Sequence, residues 1–359
     1  MNVKDDCAIN GAGAMPTSPG LPAGNPVLPV HAADPHLVLL GDRYWLYCTD
    51  GGLYASAVAF NAGQAGSGGP GFAAWSSADL VHWKCRGQVL SFPRDISWAH
   101  GCDWAPAMVH RNGRYYLYFC ADSSIGMAQA DTPIGPFRDV LGHPLVEYRP
   151  DCSAIDPMVF VDDDGRAYLH FGAVPGYWLE GKAPLGMSLS VRELKADMMS
   201  FAGPERPTIP VIRRDGENWT NLHHIEAPFA FKRAGVYYLM WSQGSCTSWD
   251  EADAYRVNYA TSSSPLGPWR IATEHNPVLQ SCRNVDCIAP GHHSVINIPG
   301  TDTWYCAYHC NDGRHAHVPD AVAQRRVYID KMTFAADGSI QPIIPTLRGP
   351  EKCPVTVRQ

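Results

Sequence analysis

Long apolar runs, clustered charge and paired cysteine motifs are all missing from this 359-residue sequence. No apolar stretch approaches the roughly 20 residues of a membrane span, so no membrane partner is expected. Charged residues make up only 18% of the chain, the net charge is −7, and Lys and Arg are nowhere clustered. A phosphate backbone would meet no positive patch, which argues against nucleic acid as a partner. The opening residues, MNVKDDCAINGAGAMPTSPG, hold no apolar h-region. That pattern fits a cytoplasmic protein, or a secreted or periplasmic one whose leader has been removed. No stretch shows sustained 3.6-residue periodicity with caps, so helical architectures fall away. The twelve cysteines offer no paired CxxC spacing, which excludes the usual zinc sites. Cys48, Cys120 and Cys306 instead lie in apolar, strand-like runs, where a thiol acts as a small buried hydrophobe. Composition leaves the oligomeric state open.

Aromatic residues are plentiful, with 11 Trp and 16 Tyr, many beside Asp, His or Gly. Flat apolar faces next to hydrogen-bonding groups suit sugar rings, although most Trp and Tyr in strands simply pack the core. The chain also repeats. Five segments share an opening motif with a carboxylate or Pro, an apolar run, a polar turn and an aromatic-rich run. They are ADPHLVLLGDRYWLYCTD (33–50), WAPAMVHRNGRYYLYFCAD (104–122), IDPMVFVDDDGRAYLHFG (155–172), IEAPFAFKRAGVYYLMWS (225–242) and GHHSVINIPGTDTWYCAYHC (291–310). Each reads as a β-hairpin, with NG, DDG, AG and PGTD as turns. Strand–turn–strand patterns follow, as in AAWSSADLVHW, IGMAQADTPIGPFRD and VNYATSSSPLGPWR. About four strands per repeat, with repeats starting roughly 50 to 70 residues apart, is the spacing of propeller blades. The expected fold is all-β: one five-bladed β-propeller domain over 26–359, preceded by a Gly/Pro-rich arm, 1–25.

The innermost strand of each blade lines the central channel, so matched opening positions converge at one mouth. They are Asp34, Trp104, Asp156, Glu226 and His292. One Asp-Pro is an ordinary turn starter. Asp34-Pro35, Asp156-Pro157 and Glu226-Ala227-Pro228 recurring at matched places are a constellation. Asp162, Asp163 and Asp164 fall in the far hairpin and are expected to be a solvated turn. Carboxylates converging on an aromatic-walled funnel suit hydrolysis of an acetal: one protonated to help the leaving oxygen depart, another ionised to activate water or attack carbon.

The order ADP, WAP, IDP with VFVDDDG, EAP with YYLMWS, then GHHSV with TWYCAYH, resembles glycoside hydrolase family 43 over about residues 26 to 347. The resemblance implies an inverting enzyme with Asp34 as general base, Asp156 as orienting and pKa-modulating acid, and Glu226 as general acid. It implies that His292, ahead of its neighbour His293, sits near the channel axis where the family often binds a calcium ion or ordered water. It matches Arg325 to a substrate-contacting arginine, with Arg326 one position off. No cofactor is needed for the chemistry. Trp104 and Trp98 would wall the sugar pocket, and His223, His224 and Arg325 would bind its hydroxyls. Two departures stand out: EAP replaces the usual EGP, which Pro228 should make tolerable, and no C-terminal β-sandwich follows. Pocket depth would then come from loops 51–74, 173–188 and 244–256. The expected activity is exo-release of a terminal pentose, α-L-arabinofuranose or β-D-xylose, from plant-type oligo- or polysaccharide. The alternatives are a galactofuranosidase or exo-galactanase of the same fold, or a non-catalytic carbohydrate-binding propeller.

Overall fold

In the computed structural model the described residues are 24–50, 71–148, 154–172, 174–175, 189–208, 224–246, 248–272, 275–312 and 325–355. They form the expected five-bladed β-propeller. Blade one is β1 (Ala32–Leu40), β2 (Arg43–Asp50), β3 (Gly71–Ser77) and β4 (Trp83–Ser91), each hydrogen-bonded to the next. Blade two repeats this order with β5 (Trp104–Arg111), β6 (Arg114–Ala121), β7 (Ser124–Ala130) and the short β8 (Arg138–Asp139). In blade three, β9 (Met158–Val161) and β10 (Ala167–Phe171) form the hairpin. The chain then contributes β11 (Val174–Pro175) to the next sheet and returns as β12 (Ser190–Leu194) and β13 (Arg206–Pro207). Blade four consists of β14 (His224–Arg233), β15 (Val236–Gln243), β16 (Arg256–Ser262) and β17 (Arg270–Ile271). Blade five has three described strands, β18 (Cys287–Asn297), β19 (Trp304–Asp312) and β20 (Arg325–Met332).

The aromatic-rich second strands predicted from YWLYC, YYLYF, YYLMW and TWYCAY supply the packing between blades. Trp45, Phe72, Phe92 and Phe119 join blades one and two. Tyr118, Leu169 and Phe171 join two and three, and Phe231, Tyr238 and Trp304 join four and five. Burying one such ring stabilises the fold by about 1.5–3 kcal/mol, which is why these positions demand large apolar side chains. Cys48, Cys120 and Cys306 are buried in β2, β6 and β19, as their surroundings suggested.

The segment before β1 closes the ring against blade five. Val27 N–H donates to Val327 O (2.9 Å), and Ile329 N–H donates to the Asn25 side-chain oxygen (2.9 Å). The buried Asp330 gathers this junction, accepting from Asn25 Nδ2 (2.9 Å), Tyr308 Oη (2.7 Å) and Thr346 Oγ1 (2.6 Å). Two expectations need correction. Asp162 is not a solvated turn residue: it is buried, and it binds Lys232 Nζ (2.8 Å) and Tyr237 Oη (2.6 Å) of blade four. Asp164 does cap the exposed turn, accepting from Arg166. The fifth blade's inner strand starts at Cys287, so its opening motif is Ala289-Pro290 and not His292.

Candidate active site

A single backbone device opens every inner strand. The residue before proline adopts a left-handed conformation in all five blades: Asp34 (φ 52°), Ala105 (49°), Asp156 (54°), Ala227 (54°) and Ala289 (50°). Such angles are uncommon outside glycine, with Asp among the better-tolerated residues. The pairing register slips at these points, between Ala33 and His36 and between Glu226 and Phe229, and a bulge of this kind re-aims side chains. Asp34 and Asp156 occupy the turned residue itself, whereas Glu226 and Trp104 each stand one residue ahead of it.

The turned amides are tied to neighbouring blades. Asp34 N–H donates to His309 Nδ1 (3.1 Å), Ala105 N–H to Thr49 Oγ1 (2.8 Å), and Ala227 N–H to Asp156 Oδ2 (3.0 Å). His292, also left-handed (φ 42°), donates its N–H to Ser242 Oγ (2.8 Å). Three of the five turns, at Asp34, Ala105 and Ala227, thus lean on a polar side chain from the adjacent blade.

Asp34 is almost fully buried among polar groups. Its Oδ1 lies 3.1 Å from Arg325 Nη1, 3.1 Å from His309 Nδ1 and 3.2 Å from His292 Nδ1. Its Oδ2 accepts from Thr49 Oγ1 at 2.7 Å. Burial alone would raise its pKa, but His292, Arg325 and His309 together hold it well below the ordinary carboxylate value. Arg325 carries the lasting positive charge there, because burial pushes His309 down to about 3 and lowers His292 as well. Asp34 is therefore an ionised carboxylate, fixed in orientation.

Asp156 has the opposite environment. It is equally buried, yet among the described residues its oxygens receive only the Ala227 N–H, with His292 Nδ1 at 3.8 Å. Burial first, then the negative charges of Glu226 and Asp34, raise its pKa well above the usual range. Glu226, half-buried, accepts from Tyr255 Oη at 2.6 Å. Asp156 is thus driven toward its neutral form while Asp34 is held toward its ionised one. Titratable groups driven apart in this way are the signature of acid and base work within one site.

The predicted contacts divide. Trp104 is half-buried at the opening of β5, the position that Glu226 holds in blade four. Trp98 goes elsewhere: its indole N–H donates to Asp139 on β8 (3.0 Å), and its ring packs in the core between blades one and two. Arg325, buried, is committed to Asp34. His223 and most of loops 51–74 and 173–188 lie outside the described residues, as does the side chain of His224, which opens β14. His292 fits poorly as a calcium ligand. Calcium takes six to eight oxygens, His292 turns Nδ1 to Asp34, and the described residues hold no metal-competent group of three His, Cys, Asp or Glu.

Four residues in the site carried little sequence signal: Thr49, Ser242, His309 and Tyr255. Thr49, Ser242 and His309 are lone polar residues near the ends of apolar second strands, paired with Ala33, Glu226 and Gly291. That recurrence was readable in YCTD, MWSQ and AYHC. Tyr255, among many strand tyrosines, was not.

Comparison with known proteins agrees with this architecture. A β-D-galactofuranosidase of Aspergillus niger is 33% identical over 93% of this chain and 89% of its own length. An arabinoxylan arabinofuranohydrolase of Bacillus subtilis is 30% identical over 76% of this chain, which spans only 55% of that relative. A thermostable family-43 glycoside hydrolase superposes with a TM-score of 0.72 at 26% identity, covering 93% of this chain and 100% of that one. The sequence pattern of the glycosyl hydrolases family 43 matches residues 23–340, and the chain belongs to that family.

Proposed function

We propose that this glycoside hydrolase is inverting and exo-acting, and that it releases a terminal α-L-arabinofuranose from plant-type oligo- or polysaccharide, with β-D-xylose as the neighbouring pentose. The observation that carries this reading is the opposed environment of two carboxylates in one site, Asp34 held low beside Arg325 and Asp156 raised by burial and by the charge of Glu226. Asp34 takes the proton of a water as that water's oxygen attacks the anomeric carbon. The glycosidic C–O bond breaks, its electron pair stays on the leaving oxygen, and that oxygen takes the proton of Glu226. Asp156, bonded to the N–H of Ala227, the residue that follows Glu226, holds the acid in place. Trp104 offers the sugar an apolar wall. The names of the Bacillus subtilis relative and of an α-L-arabinofuranosidase of Clostridium thermocellum, 28% identical with a TM-score of 0.63 over 89% of this chain and 95% of its own, support the choice of sugar.

A second reading, release of β-D-galactofuranose, is favoured by the Aspergillus niger relative, whose match covers most of both chains. β-D-Galactofuranose shares the ring stereochemistry of α-L-arabinofuranose and adds one hydroxylated carbon, a difference that pocket shape decides. Hydrolysis of nitrophenyl α-L-arabinofuranoside, β-D-xyloside and β-D-galactofuranoside, with the first-formed anomer followed by proton NMR, tests both readings. Inversion with preference for the arabinofuranoside is expected. Retention of configuration overturns the mechanism, and sugar binding without turnover of any substrate identifies a non-catalytic propeller.

A further inference from the structure

Glu226 has two oxygens, and only one of them can carry the proton that reaches a leaving group. Oε1 is taken: Tyr255 donates to it at 2.6 Å. Tyr255 is 1% exposed, and burial, with the negative charges of Glu226 and Asp156, pushes its hydroxyl well above the ordinary phenol value. It therefore stays a donor, and an oxygen accepting that bond behaves as the carbonyl oxygen of the acid.

The ring is held as firmly as the hydroxyl. It stacks on His309 (centroids 5.8 Å apart, 12° between planes), the same histidine whose Nδ1 meets Asp34. Gly291 makes room for it: a Cβ there would come within 2.1 Å of the Tyr255 ring. Tyr255 N–H donates to Ser245 O (3.0 Å), fixing the backbone just ahead of β16. A chain of contacts thus runs from Asp34 through His309 and Tyr255 to Glu226, spanning blades one, five and four.

We propose that Tyr255 is a positioning residue that confines the transferable proton of Glu226 to Oε2, facing the leaving oxygen, and stabilises the carboxylate left after transfer. The inference rests on Glu226 acting as the general acid. When the proton moves to the glycosidic oxygen, the Tyr255 bond becomes charge-assisted and stronger, so it favours the transition state over the ground state. Asp156, Cys246, His292 and Arg325 also act electrostatically on Glu226 or Tyr255 or both, and His309 stacks on the Tyr255 ring. The test accordingly compares variants that leave those groups in place.

Tyr255→Phe keeps the ring and removes only the hydroxyl, and its melting temperature checks the fold. It is compared with Glu226→Ala on two substrates: an arabino-oligosaccharide, whose leaving group needs protonation, and a dinitrophenyl glycoside, whose leaving group does not. The expected result for Tyr255→Phe is roughly a tenfold loss of kcat/KM on the oligosaccharide, with the dinitrophenyl glycoside nearly unaffected. Its basic pH limb should move up by about one unit, because a bond to the ionised form has been removed. If Glu226→Ala lowers both substrates equally, the assignment of the acid itself fails. If Glu226→Ala is selective but Tyr255→Phe lowers both substrates alike, or leaves the basic limb where it was, Tyr255 has only a structural role and the inference is overturned.

Discussion

Three aspartates within a few residues of one another show how much a carboxylate owes to what touches it. Asp162 binds Lys232 and Tyr237 and serves as a tie between blades three and four. Asp164 caps its own turn through Arg166. Asp156 receives one backbone N–H and faces two other acids, so it is driven toward its neutral form. Asp156→Asn mimics that form and leaves an oxygen to accept the Ala227 N–H. The variant should fold with an unchanged or higher melting temperature near neutral pH. The charges of Asp156 and Glu226 oppose one another's ionisation, and the variant removes that opposition, so the basic limb of kcat/KM should move to lower pH and activity above neutrality should fall. A basic limb that stays in place would remove Asp156 from the modulating role. The recurring Asp-Pro and Glu-Ala-Pro motifs marked these acids in the sequence, but their opposite charge states did not show there. Arg325 is 291 positions from Asp34, and no local pattern joins them.

At the scale of the element, the inner strands are built on a conformation their own residues resist. A residue before proline prefers extended backbone, yet five such residues are left-handed here, three of them alanine. A strained residue of this kind costs on the order of 1–3 kcal/mol and persists only where its surroundings enforce it. The enforcing contacts are the bonds from Thr49, Asp156 and His309 to the turned amides. Ala227 has a Cβ that this angle penalises, and the glycine usual in the family does not. Ala227→Gly should therefore raise stability by about 0.5–1 kcal/mol, the relief of strain exceeding the extra freedom of the unfolded chain. Urea denaturation measures it; a loss of stability would mean that the Ala227 methyl is worth more as packing than it costs in strain. The same device opens the fifth blade three residues ahead of His292. Ala289-Pro290 carries no acid and hid in CIAPG, and only the slipped pairing between Ile288 and Gly291 identifies it.

Over the whole molecule, the propeller is a ring that must be closed. Closure rests on Asn25, Thr346 and Tyr308 around Asp330, whose pKa burial raises from 3.8 to about 6. A raised acid binds its proton more tightly in the folded state, so its contribution is most favourable below about pH 4 and is lost as pH rises toward about 6. The loss amounts to about 3 kcal/mol by linkage. Asp330→Asn removes this titration. The stability of the parent relative to the variant should fall by about that amount between about pH 4 and about pH 7, measured by urea denaturation at several pH values. Parallel curves would show that Asp330 stays ionised throughout.

The sequence by itself determined the repeat, the five-bladed architecture and the three acids, because strand alternation, turn residues and X-Pro motifs act over a few residues and recur at a fixed spacing. Tertiary structure alone decided which carboxylate is ionised, that Arg325 belongs to Asp34, that Trp98 packs between blades, and that Tyr255 reaches Glu226. Charge state and hydrogen-bond partnership depend on burial and on groups from other blades. Ring closure brings those groups together, and no window of sequence contains them.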